Sequence, residues 1–475
     1  MTNIFLFHRD LRIIDNTALI HQFTEIKASD TIQPIFIFTP EQIDPDKNKY
    51  FSNNAVQFMI ESLIELADDI SGMGGHLLFF YGHTLDVLKN LHLLQNISTI
   101  AYNSDYTPYA TKRDNEIRSW TKQNNIACYE REDYPLYDIM EGHTLKKDGT
   151  PFKIFTPFKN HCLTECSIRP INTFQSWKFE SHKFKNYIES EYHFHNSKLN
   201  SLYTTNTFIN VRGGRRAGLS ILKKAANWSA YDTHRDKLTY QTTFLSAYNH
   251  FSTVSIREVY HAFRDNHSLI NELIWRDFYM NITLSFPYIL DAQISRKENM
   301  PYKLSYTSVK WKNNSDYFKR WCQAQTGFPI IDAAMTQMNT TGFMHNRARM
   351  IVASFLMKDL HIDWRWGEQY FASKLVDYDA MSNSGGWQWS AGCGTDAQPW
   401  FRIFNPWTQS EKFDPQCEYI KKWISELKTV PSRDIHKWYS KSSEYIQRGI
   451  QYIHPIVQHD VQRKITLHIL DIQRS

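Results

Sequence analysis

At 475 residues the chain is too long for a single hydrophobic core, so we expect two domains. Its hydrophobic content of 42% and aromatic content of 15% are typical of a packed globular protein and exclude a largely disordered one. Lys and Arg exceed Asp and Glu by 54 to 49, which is compatible with a nucleic-acid partner but too small an excess to indicate one.

The N-terminus and the cysteines bear on where the protein works. No apolar run is long enough to cross a membrane, and the chain reaches Arg9 and Asp10 too early for a signal peptide. The six cysteines lack the paired CxxC spacing of a zinc site, which favours reduced thiols. We therefore expect an intracellular, non-secreted protein of the cytoplasm or nucleus, with no membrane partner. We also expect it to be a monomer.

Short apolar runs alternate with helical patterns over the first 135 residues. The clearest amphipathic helix covers residues 53–70. The predicted strands cover residues 4–9, 32–38, 76–82, 98–104 and 126–131. Strand–helix alternation at this spacing predicts a parallel, doubly wound sheet with helices on both faces. The region contains no GxGxxG, so a standard dinucleotide fingerprint is absent.

The remaining chain divides into a connection and a helical region. Residues 136–205 are irregular and polar, and we interpret them as a long interdomain connection. Helical patterns dominate from there on, and Ser255 followed by Glu258 predicts a capping box at one helix start. We therefore predict an α/β domain over residues 1–135 and an all-helical domain over residues 206–475.

Three hydroxyl side chains surround Leu245 in the segment YQTTFLSAY (240–248). Thr242, Thr243 and Ser246 stand next to a predicted helix start, where backbone N–H groups and the helix dipole favour an anion such as phosphate. Because Thr and Ser are also ordinary helix caps, an anion site and a plain cap both stay open here.

The segment NELIWRDFY (271–279) carries four polar or aromatic side chains on one helical face. They follow the spacing i, i+3, i+4 and i+7 and are Glu272, Trp275, Arg276 and Tyr279. Charged groups on such a stripe make a poor core face, but an indole, a carboxylate and a guanidinium suit a cavity for a planar polar ligand. The alternative is an amphipathic surface helix with an intrahelical ion pair.

The segment GFMHNRARMIVASFL (342–356) presents the same choice. Asn346, Arg349 and Met350 share a helical face, with Arg347 beside them, and an apolar stretch follows at once. Polar groups at this point indicate that a buried helix meets something charged. A surface helix end is the alternative.

The segment NSGGWQW (383–389) places two indoles on different sides of one predicted helix. Asn383 and Trp387 are four residues apart and share a face, while Trp389 points the other way. Two glycines inside a helix cost about 1 kcal/mol each relative to Ala, which favours the close approach of a large group. A Trp-rich core helix is the alternative.

Two carboxylates, Asp377 and Asp379, precede this last segment. They can accept hydrogen bonds from a ligand, or they can be solvated. The 20 histidines provide no recognisable metal-ligand set, and no Ser/His/Asp arrangement has a legible signature. We therefore expect no metal site.

Together these segments resemble the photolyase/cryptochrome family of blue-light flavoproteins. The resemblance runs over essentially the whole chain, beginning with FHRDLRIIDNTAL (7–19) and continuing through FKIFTPFKN (152–160) and GGRRAGL (213–219). It is densest from residue 271 to 415, which contains ELIWRDFY, TGFPIIDAAM, MHNRARM, DWRWGEQYF, NSGGWQW and FRIFNPWTQSEKFDP. The joint occurrence of these motifs in this order is very specific.

The subgroup that the chain most resembles is the class I cyclobutane pyrimidine dimer DNA photolyases. Asn383 matches the position near the flavin N5 where plant cryptochromes carry Asp, and Met350 stands where (6-4) photolyases carry a histidine. The segment GGWQW also differs from the GNWNY-like segment of the DASH group. The alternatives are a cryptochrome-type blue-light photoreceptor and a (6-4) photolyase.

The resemblance implies an N-terminal α/β antenna domain and an all-α C-terminal domain that binds FAD. The implied FAD-binding residues are Tyr231, Thr242, Thr243, Phe244, Leu245, Ser246, Arg349, Asp377, Tyr378, Asp379 and Asn383. The residues implied to hold a flipped dimer or to face UV-damaged DNA are Arg235, Glu272, Trp275, Arg276, Tyr279, Asn346, Arg347, Met350, Trp389 and Gln409. The resemblance implies catalytic roles for Glu272 and Asn383, and an electron-transfer chain of Trp387, Trp364 and Trp311.

In the implied cycle, reduced FAD absorbs blue light and passes an electron to the dimer, the ring splits, and the electron returns. A second antenna chromophore is also implied, for which a deazaflavin, a folate, a flavin and an empty pocket all stay open. Ala110 stands where folate-binding members have a glutamate. Leu269 stands where the bacterial subgroup often has a flavin-contacting Trp, and Ser252-Thr253 where many relatives have glycine.

Overall fold

The computed structural model describes residues 2–182, 185–290, 309–399 and 402–472. Its first part is a sheet of β1 (Thr2–Phe7), β2 (Ile32–Phe38), β3 (Leu78–Tyr81), β4 (Ile97–Asn103) and β5 (Ala127–Arg131). The spatial order is β3-β2-β1-β4-β5, and every neighbouring pair is parallel. All five predicted strands are therefore present. The first ends at Phe7, after which the His8 N–H donates to the Asp10 side chain at 2.8 Å.

Helices cover both faces of this sheet. They are α1 (Thr17–Glu25), α2 (Pro40–Ile43), α3 (Asn53–Gly72), α4 (Thr84–Leu94) and α5 (Pro108–Gln123). Alternate side chains of a strand enter different cores, so that Phe5 and Phe7 pack on one face and Ile4 and Leu6 on the other. The predicted doubly wound arrangement is confirmed.

The connection after β5 contains more regular structure than its composition indicates. It includes α6 (Phe155–Glu165), α7 (Lys185–Ile188) and a 3₁₀ segment at Asn196–Leu202. It also returns to the sheet, because the Glu180 N–H donates to the Ile32 carbonyl at 2.8 Å. The connection is therefore packed against the sheet domain.

The rest of the described chain is helical, as predicted. It begins with α8 (Arg215–Leu222), α9 (Tyr231–His234), α10 (Ser246–His250), α11 (Ile256–Phe263), α12 (His267–Ser285) and α13 (Ser315–Cys322). It continues with α14 (Pro329–Thr341), α15 (Asn346–Lys358), α16 (Trp364–Lys374), α17 (Ala380–Ala391) and α18 (Pro406–Phe413). It ends with α19 (Glu418–Trp423), α20 (Ser432–Ile435), α21 (Trp438–Gln447) and α22 (His459–Ile472), and short 3₁₀ segments lie at Ala225–Trp228, Pro287–Leu290 and Ser425–Leu427. Among the described residues, no helix combines the length and apolar character needed to span a membrane.

Local signals explain where several of these helices begin and end. The predicted capping box at α11 is confirmed, since Ser255 and Glu258 exchange side-chain and backbone hydrogen bonds. Helices α14 and α17 stop at Gly342 and Gly392, whose φ angles of 69° and 78° are left-handed.

Helix α17 contacts both α12 and α15 in the helical region.

A buried ion-pair network joins the sheet domain to the helical domain. Asp133, which follows β5, accepts hydrogen bonds from Arg12 at 2.6 Å and from Arg257 of α11 at 2.8 Å. Although burial opposes its ionisation, the two arginines hold the pKa of Asp133 well below its usual range. Because breaking such a pair leaves an uncompensated buried charge, the network fixes the two domains relative to each other.

Candidate active site

A cavity of about 700 Å³ lies among α9, α10, α12, α15 and α17. Pockets for small ligands and cofactors usually measure roughly 300–1,000 Å³. Of the residues predicted from the sequence, its wall contains Tyr231, Arg235, Thr242, Thr243, Phe244, Leu245, Ser246, Glu272, Trp275, Arg276, Tyr279, Asn346, Arg347, Arg349, Met350, Asp377, Tyr378, Asp379, Asn383, Trp387 and Trp389. Motifs that are far apart in the sequence therefore share one space.

Helix α12 presents its predicted stripe to this cavity. Glu272 pairs with Arg235, just after α9, at 3.0 Å and not with a residue of its own helix. The Arg276 guanidinium donates to the backbone carbonyls of Tyr134 at 2.6 Å and Asn249 at 3.2 Å. The alternative of a surface helix with an intrahelical ion pair is therefore wrong, and Arg276 lies on the inner side of the cavity.

The ionisation of Glu272 is set by its enclosure in the cavity wall. Burial raises the pKa of its carboxyl above the ordinary value, and the Arg235 guanidinium opposes this effect. The two side chains are each 40% exposed, and both line the cavity. Glu272 can therefore reach a ligand and keeps its proton to a higher pH than an ordinary glutamate.

Trp275 has one ring face covered by the interdomain connection. Phe155 of α6 stacks on it with ring centroids 3.6 Å apart and an interplanar angle of 6°. Tyr279 packs against the same indole at 5.8 Å. The aromatic wall is thus held in place from behind, which leaves the opposite side of the indole for a ligand.

The start of α15 carries its polar residues into the cavity, so a plain surface helix end is the wrong interpretation. His345 caps the helix by accepting the Arg347 N–H at 3.1 Å. Arg349 donates to both oxygens of Asp377 at 3.0 and 2.9 Å, and to the carbonyl of Met344 at 2.8 Å. The pair of Arg349 and Asp377 joins α15 to the segment before α17 and leaves one guanidinium edge for a ligand.

Asp379 is the N-cap of α17 and accepts the Ser382 N–H at 2.9 Å. Its other oxygen lies 3.3 Å from His250 Nδ1 and 4.0 Å from Arg9 of the sheet domain. Although burial opposes ionisation, His250, Arg9 and Arg276 lower the pKa of Asp379 well below its usual range. Asp379 is therefore a fixed negative charge of the cavity.

Asn383 is held by a buried carboxyl group. Its side-chain amide donates to Glu368 Oε1 of α16 at 2.8 Å. Burial raises the pKa of Glu368 to about 7, and the hydrogen bond from Asn383 opposes that rise. The bond fixes the amide with its NH₂ group on Glu368 and its oxygen free to accept a hydrogen bond.

The two glycines of α17 have different reasons to be there. A Cβ on Gly385 would collide with the ring of Tyr279, whereas a Cβ on Gly386 would meet no atom within 4 Å. Gly386 lines the cavity together with Trp387 and Trp389. Trp387 is 3% exposed, and its ring centroid lies 5.0 Å from that of Phe371. Helix α17 thus packs in the core and also lines the cavity, so the alternative of a plain core helix explains only one of its two environments.

The segment before α10 reaches the cavity through an unusual backbone. Phe244 takes a left-handed φ of 55°, which turns the chain between the hydroxyl groups of Thr243 and Ser246. Ser252 also takes a left-handed φ, of 45°. This is the position at which the resemblance expects glycine, and the backbone keeps that conformation here. The Ser252 carbonyl accepts a hydrogen bond from Arg12 at 3.1 Å.

Three residues implied by the resemblance lie outside the cavity wall. Trp364 begins α16 and Trp311 precedes α13, and both pack against the same core as Trp387. Trp311 borders a separate space of about 20 Å³ with Lys358 and His361. Gln409, in α18, is half-buried. These three residues are not brought to the cavity by the described structure.

Two features elsewhere concern metals and a second ligand. Among the described residues, Asp138, Glu141 and His143 are the group whose ligand atoms come within 4.8 Å of one another, but they lie outside the cavity and Asp138 pairs with Arg169 at 2.9 Å. A groove of about 640 Å³ runs along α4 and α5. Ala110 is buried and does not line this groove.

All six cysteines are free thiols, as the sequence predicts.

Several residues of the site carried no recognised signal in the sequence. Glu368 lies on the segment DWRWGEQYF, one turn from Trp364, and only its contact with Asn383 gives it a role. Arg9 belongs to FHRDLR, 370 residues before Asp379 in the chain. Asp236 pairs with Arg347 at 2.7 Å. For Glu368 and Arg9, the signal available in the sequence was that each is a charged residue inside a motif that carries the family resemblance.

A parallel α/β sheet joined to a helical domain, with a polar and aromatic cavity inside the helices, defines a two-domain enzyme that binds a large planar cofactor. Two protein-family sequence models match this chain. The family described as the FAD binding domain of DNA photolyase matches residues 269–471, and the family described as DNA photolyase matches residues 3–176. The chain therefore belongs to the DNA photolyase family. It is an enzyme of the deoxyribodipyrimidine photo-lyase type, with FAD as its cofactor.

Individual relatives and solved structures are similar to this chain over nearly its whole length. A deoxyribodipyrimidine photo-lyase of Alkalihalophilus pseudofirmus is 35% identical over 480 residues, covering 97% of this chain and 96% of that protein. The crystal structure of an archaeal photolyase from Sulfolobus tokodaii with two FAD molecules is 35% identical, with a TM-score of 0.85 over 99% of this chain and 100% of that one. A cryptochrome of Synechocystis sp. PCC6803 is 27% identical, with a TM-score of 0.87 over 98% and 99%.

The residues of the cavity fit FAD by their chemistry. Hydroxyl groups and the Arg349 guanidinium suit phosphates and polyols, and the open space beside Gly386 suits a planar ring. The buried side-chain oxygen of Asn249, which lines the same cavity, has no hydrogen-bond partner among the described residues. An unpaired buried acceptor is costly unless a ligand or water satisfies it.

Proposed function

We propose that this enzyme repairs cyclobutane pyrimidine dimers in UV-damaged DNA under blue light, and that it belongs to the class I subgroup. The observation that carries the proposal is the convergence of Glu272, Met350 and Trp389 with Asp379 and Asn383 on one cavity. The first three suit a compact dimer of two adjacent pyrimidines of one strand, and the last two suit a flavin. Electron transfer over a short distance requires such a shared space.

The cofactor side of the cavity is assigned by donor chemistry. Thr242, Thr243 and Ser246 would hold the FAD phosphates through hydroxyl and backbone groups, with Tyr231, Phe244 and Leu245 beside them. Arg349 and Asp377 would bind the polyol and ring edge next to Tyr378, and Asp379 would accept a ring N–H. When bound, FAD supplies the one-electron chemistry that opens the dimer and recovers the electron afterwards.

Asn383 would orient its free amide oxygen towards the flavin ring, since its NH₂ group is occupied by Glu368 at 2.8 Å. A neutral amide at this place adds no negative charge beside the ring. Asp379, by contrast, is a fixed carboxylate at the start of the same helix. The chain thus separates a charged acceptor from a neutral one along α17.

The substrate side of the cavity would accept a pyrimidine dimer, two linked neighbouring bases of one strand, that has left the duplex. Enzymes that act on a base inside DNA extrude it, and a damaged step is less costly to unstack than an intact one. Trp275 and Trp389 would pack against the dimer, with Asn346 and Tyr279 at its polar edges. Glu272, whose pKa is raised by burial, would hold a proton for a dimer carbonyl.

The basic groups outside the dimer-binding part would contact the DNA backbone. Arg235 and Arg347 line the cavity, and Gln409 is proposed to face the same strand. The inner position of Arg276, on two backbone carbonyls, supports a role close to the cofactor instead. Phosphate contacts of this kind make DNA affinity fall steeply with salt.

An electron path from Trp311 through Trp364 to Trp387 would reduce the bound flavin before repair. Its support is that all three indoles pack against one core, with Trp387 in the cavity wall. The path serves activation of the enzyme and is not part of the repair cycle. Its role can therefore be separated from repair by chemical reduction.

The choice of lesion follows from position 350. Met350 lines the cavity where (6-4) photolyases carry a histidine needed for their chemistry, and its thioether has no proton to donate. The nearby His345 is buried, which lowers its pKa to about 4, so it is neutral at physiological pH. The cavity therefore favours the cyclobutane dimer over the (6-4) product.

The test is repair of defined lesions by the reduced protein under blue light. We expect oligonucleotides with a cyclobutane thymine dimer to revert to thymines and those with a (6-4) product to persist. Repair of the (6-4) product alone would contradict the subgroup, and no repair of either lesion by a protein that retains reduced FAD would favour a cryptochrome-type photoreceptor. The same reaction in the dark is the control.

A further inference from the structure

Asp236 is a charged residue of the cavity that no sequence motif singled out. It stands directly after Arg235, beyond the end of α9, and it lines the cavity. Its carboxylate lies against Arg347 of α15, one of the arginines proposed to face DNA. The carboxylate therefore stands beside a group that a DNA phosphate would also approach.

The contact between these two residues has an uneven geometry. Arg347 Nη2 and Nε both donate to the same oxygen, Oδ1 of Asp236, at 2.7 and 3.2 Å. The guanidinium also lies 4.7 Å from the ring centroid of Phe413, and its Nη1 is 3.7 Å from the Met350 sulfur. The Arg347 side chain is 19% exposed and that of Asp236 is 51% exposed. The arginine is thus fixed, while the carboxylate stays open to solvent.

Neighbouring residues of the chain pair with two different helices of the cavity wall. Arg235 reaches Glu272 on α12 at 3.0 Å, and Asp236 reaches Arg347 on α15 at 2.7 Å. Two ion pairs thus start from the neighbouring residues Arg235 and Asp236. Asp236 offsets the formal charge of Arg347, so this pair attracts a passing phosphate less than a free arginine would.

We propose that Asp236 is a specificity-determining residue, which orients the Arg347 guanidinium for the damaged site and offsets its charge against undamaged DNA. This inference rests on the proposed function. Sequence-independent binding to DNA is driven by neutralised phosphates, so an uncompensated arginine strengthens binding to any duplex. A guanidinium held in one orientation, by contrast, strengthens binding only where the DNA presents a hydrogen-bond acceptor at the matching position.

Two substitutions separate the two roles of Asp236. Because both hydrogen bonds go to Oδ1, Asp236→Asn can keep the acceptor while removing the charge. Asp236→Ala removes both. Holoenzyme binding is measured in the dark at several salt concentrations, with a duplex containing one cyclobutane thymine dimer and with the same duplex undamaged.

For Asp236→Asn we expect the affinity for undamaged duplex to rise on the order of fivefold, as for the loss of one exposed partner charge. We expect its salt dependence to steepen by about one released counterion. The affinity for the dimer-containing duplex should not fall. Asp236→Ala should raise the affinity for undamaged duplex similarly, but should lower the affinity for the dimer on the order of fivefold, because Arg347 loses its orientation.

Two controls test whether the effect passes through Arg347. Asp232 lies on α9, is exposed, and pairs with Ser268 at 2.6 Å, so Asp232→Asn removes an equal charge nearby. In an Arg347→Gln background, Asp236→Asn should have no more effect than Asp232→Asn has. Thermal unfolding of each variant verifies that the fold is kept.

Different outcomes overturn different statements. If Asp236→Asn and Asp232→Asn raise the affinity for undamaged duplex equally, the effect of Asp236 is that of any negative charge nearby and does not depend on Arg347. Unchanged dimer affinity in Asp236→Ala would remove its orienting role. Both results presuppose a wild type that prefers dimer-containing DNA. A wild type without that preference would overturn the proposed function, and this inference with it.

Discussion

The amide of Asn383 donates a 2.8 Å hydrogen bond to the buried carboxyl of Glu368. The two residues belong to consecutive helices, α17 and α16, and the donor lies in the cavity wall while the acceptor lies behind it. Glu368 is 6% exposed, and burial raises its pKa to about 7. The orientation of Asn383 is therefore set by a group that does not line the cavity.

Replacing Asn383 with Asp should hinder full reduction of the flavin. The substitution places a second carboxyl beside Glu368 and a negative charge near the proposed flavin ring, so like-charge repulsion disfavours the anionic reduced form. Under anaerobic illumination, followed by absorption spectroscopy, we expect reduction to halt after one electron. An uninterrupted two-electron reduction would show that residue 383 does not adjoin the ring.

Glu368 should make the stability of the protein depend on pH. Its carboxyl titrates near 4.5 in the unfolded chain and near 7 in the folded one, so the folded state binds more protons between these values. Stability then falls as pH rises from about 4.5 to about 7, by at most about 3 kcal/mol, and this contribution is constant above that range.

Glu368→Gln removes the titrating group and keeps an acceptor for Asn383. We therefore expect the variant to gain stability relative to the wild type as pH rises from 5 to 8, measured by thermal unfolding at each pH. A stability difference that is the same at both ends of the range would contradict a raised pKa for Glu368.

Trp387→Phe should block light-driven reduction of oxidised FAD and leave repair intact once the flavin is chemically reduced. Trp387 lines the cavity and packs on Phe371 in the core, which places its indole between the two. Phe fills most of that volume but is much harder to oxidise. Photoreduction is followed spectroscopically and repair by loss of dimers. Wild-type photoreduction in this variant would remove Trp387 from the path.

The two glycines of α17 should respond in opposite ways to Ala. Gly386→Ala adds a methyl group in open space and should raise the free energy of unfolding of the apoprotein by up to about 1 kcal/mol, the helix-propensity gain. Its methyl group should weaken FAD binding, because it enters the cavity. Gly385→Ala is the matched control and should destabilise the protein, since its Cβ meets the Tyr279 ring.

Thermal unfolding and the fraction of FAD retained after gel filtration measure both effects. Equal stability losses in the two variants would mean that the space beside Gly386 is not open. Full FAD retention by Gly386→Ala would place the flavin elsewhere in the cavity.

Local patterns in the sequence were enough for the elements of the fold. Alternation of apolar runs and amphipathic segments predicts the parallel sheet, because side-chain periodicity reports which face of a strand or helix is buried. The same reasoning correctly put Glu272, Trp275, Arg276 and Tyr279 on one face of α12. Helix α7 escaped it because four residues provide little periodicity, and α6 escaped it because only three of its 11 residues are buried.

Periodicity along one helix says which side chains share a face, but it does not say what that face meets. The Glu272 partner is Arg235, 37 residues away, and Arg9 lies within 4.0 Å of Asp379, 370 residues further along the chain. Such pairs arise when distant segments pack together, and burial then determines their pKa values. The sequence alone thus determined the elements, their buried faces and the family resemblance. The tertiary structure decided which charges are paired, which carboxyl holds a proton, and which arginine is left for a ligand.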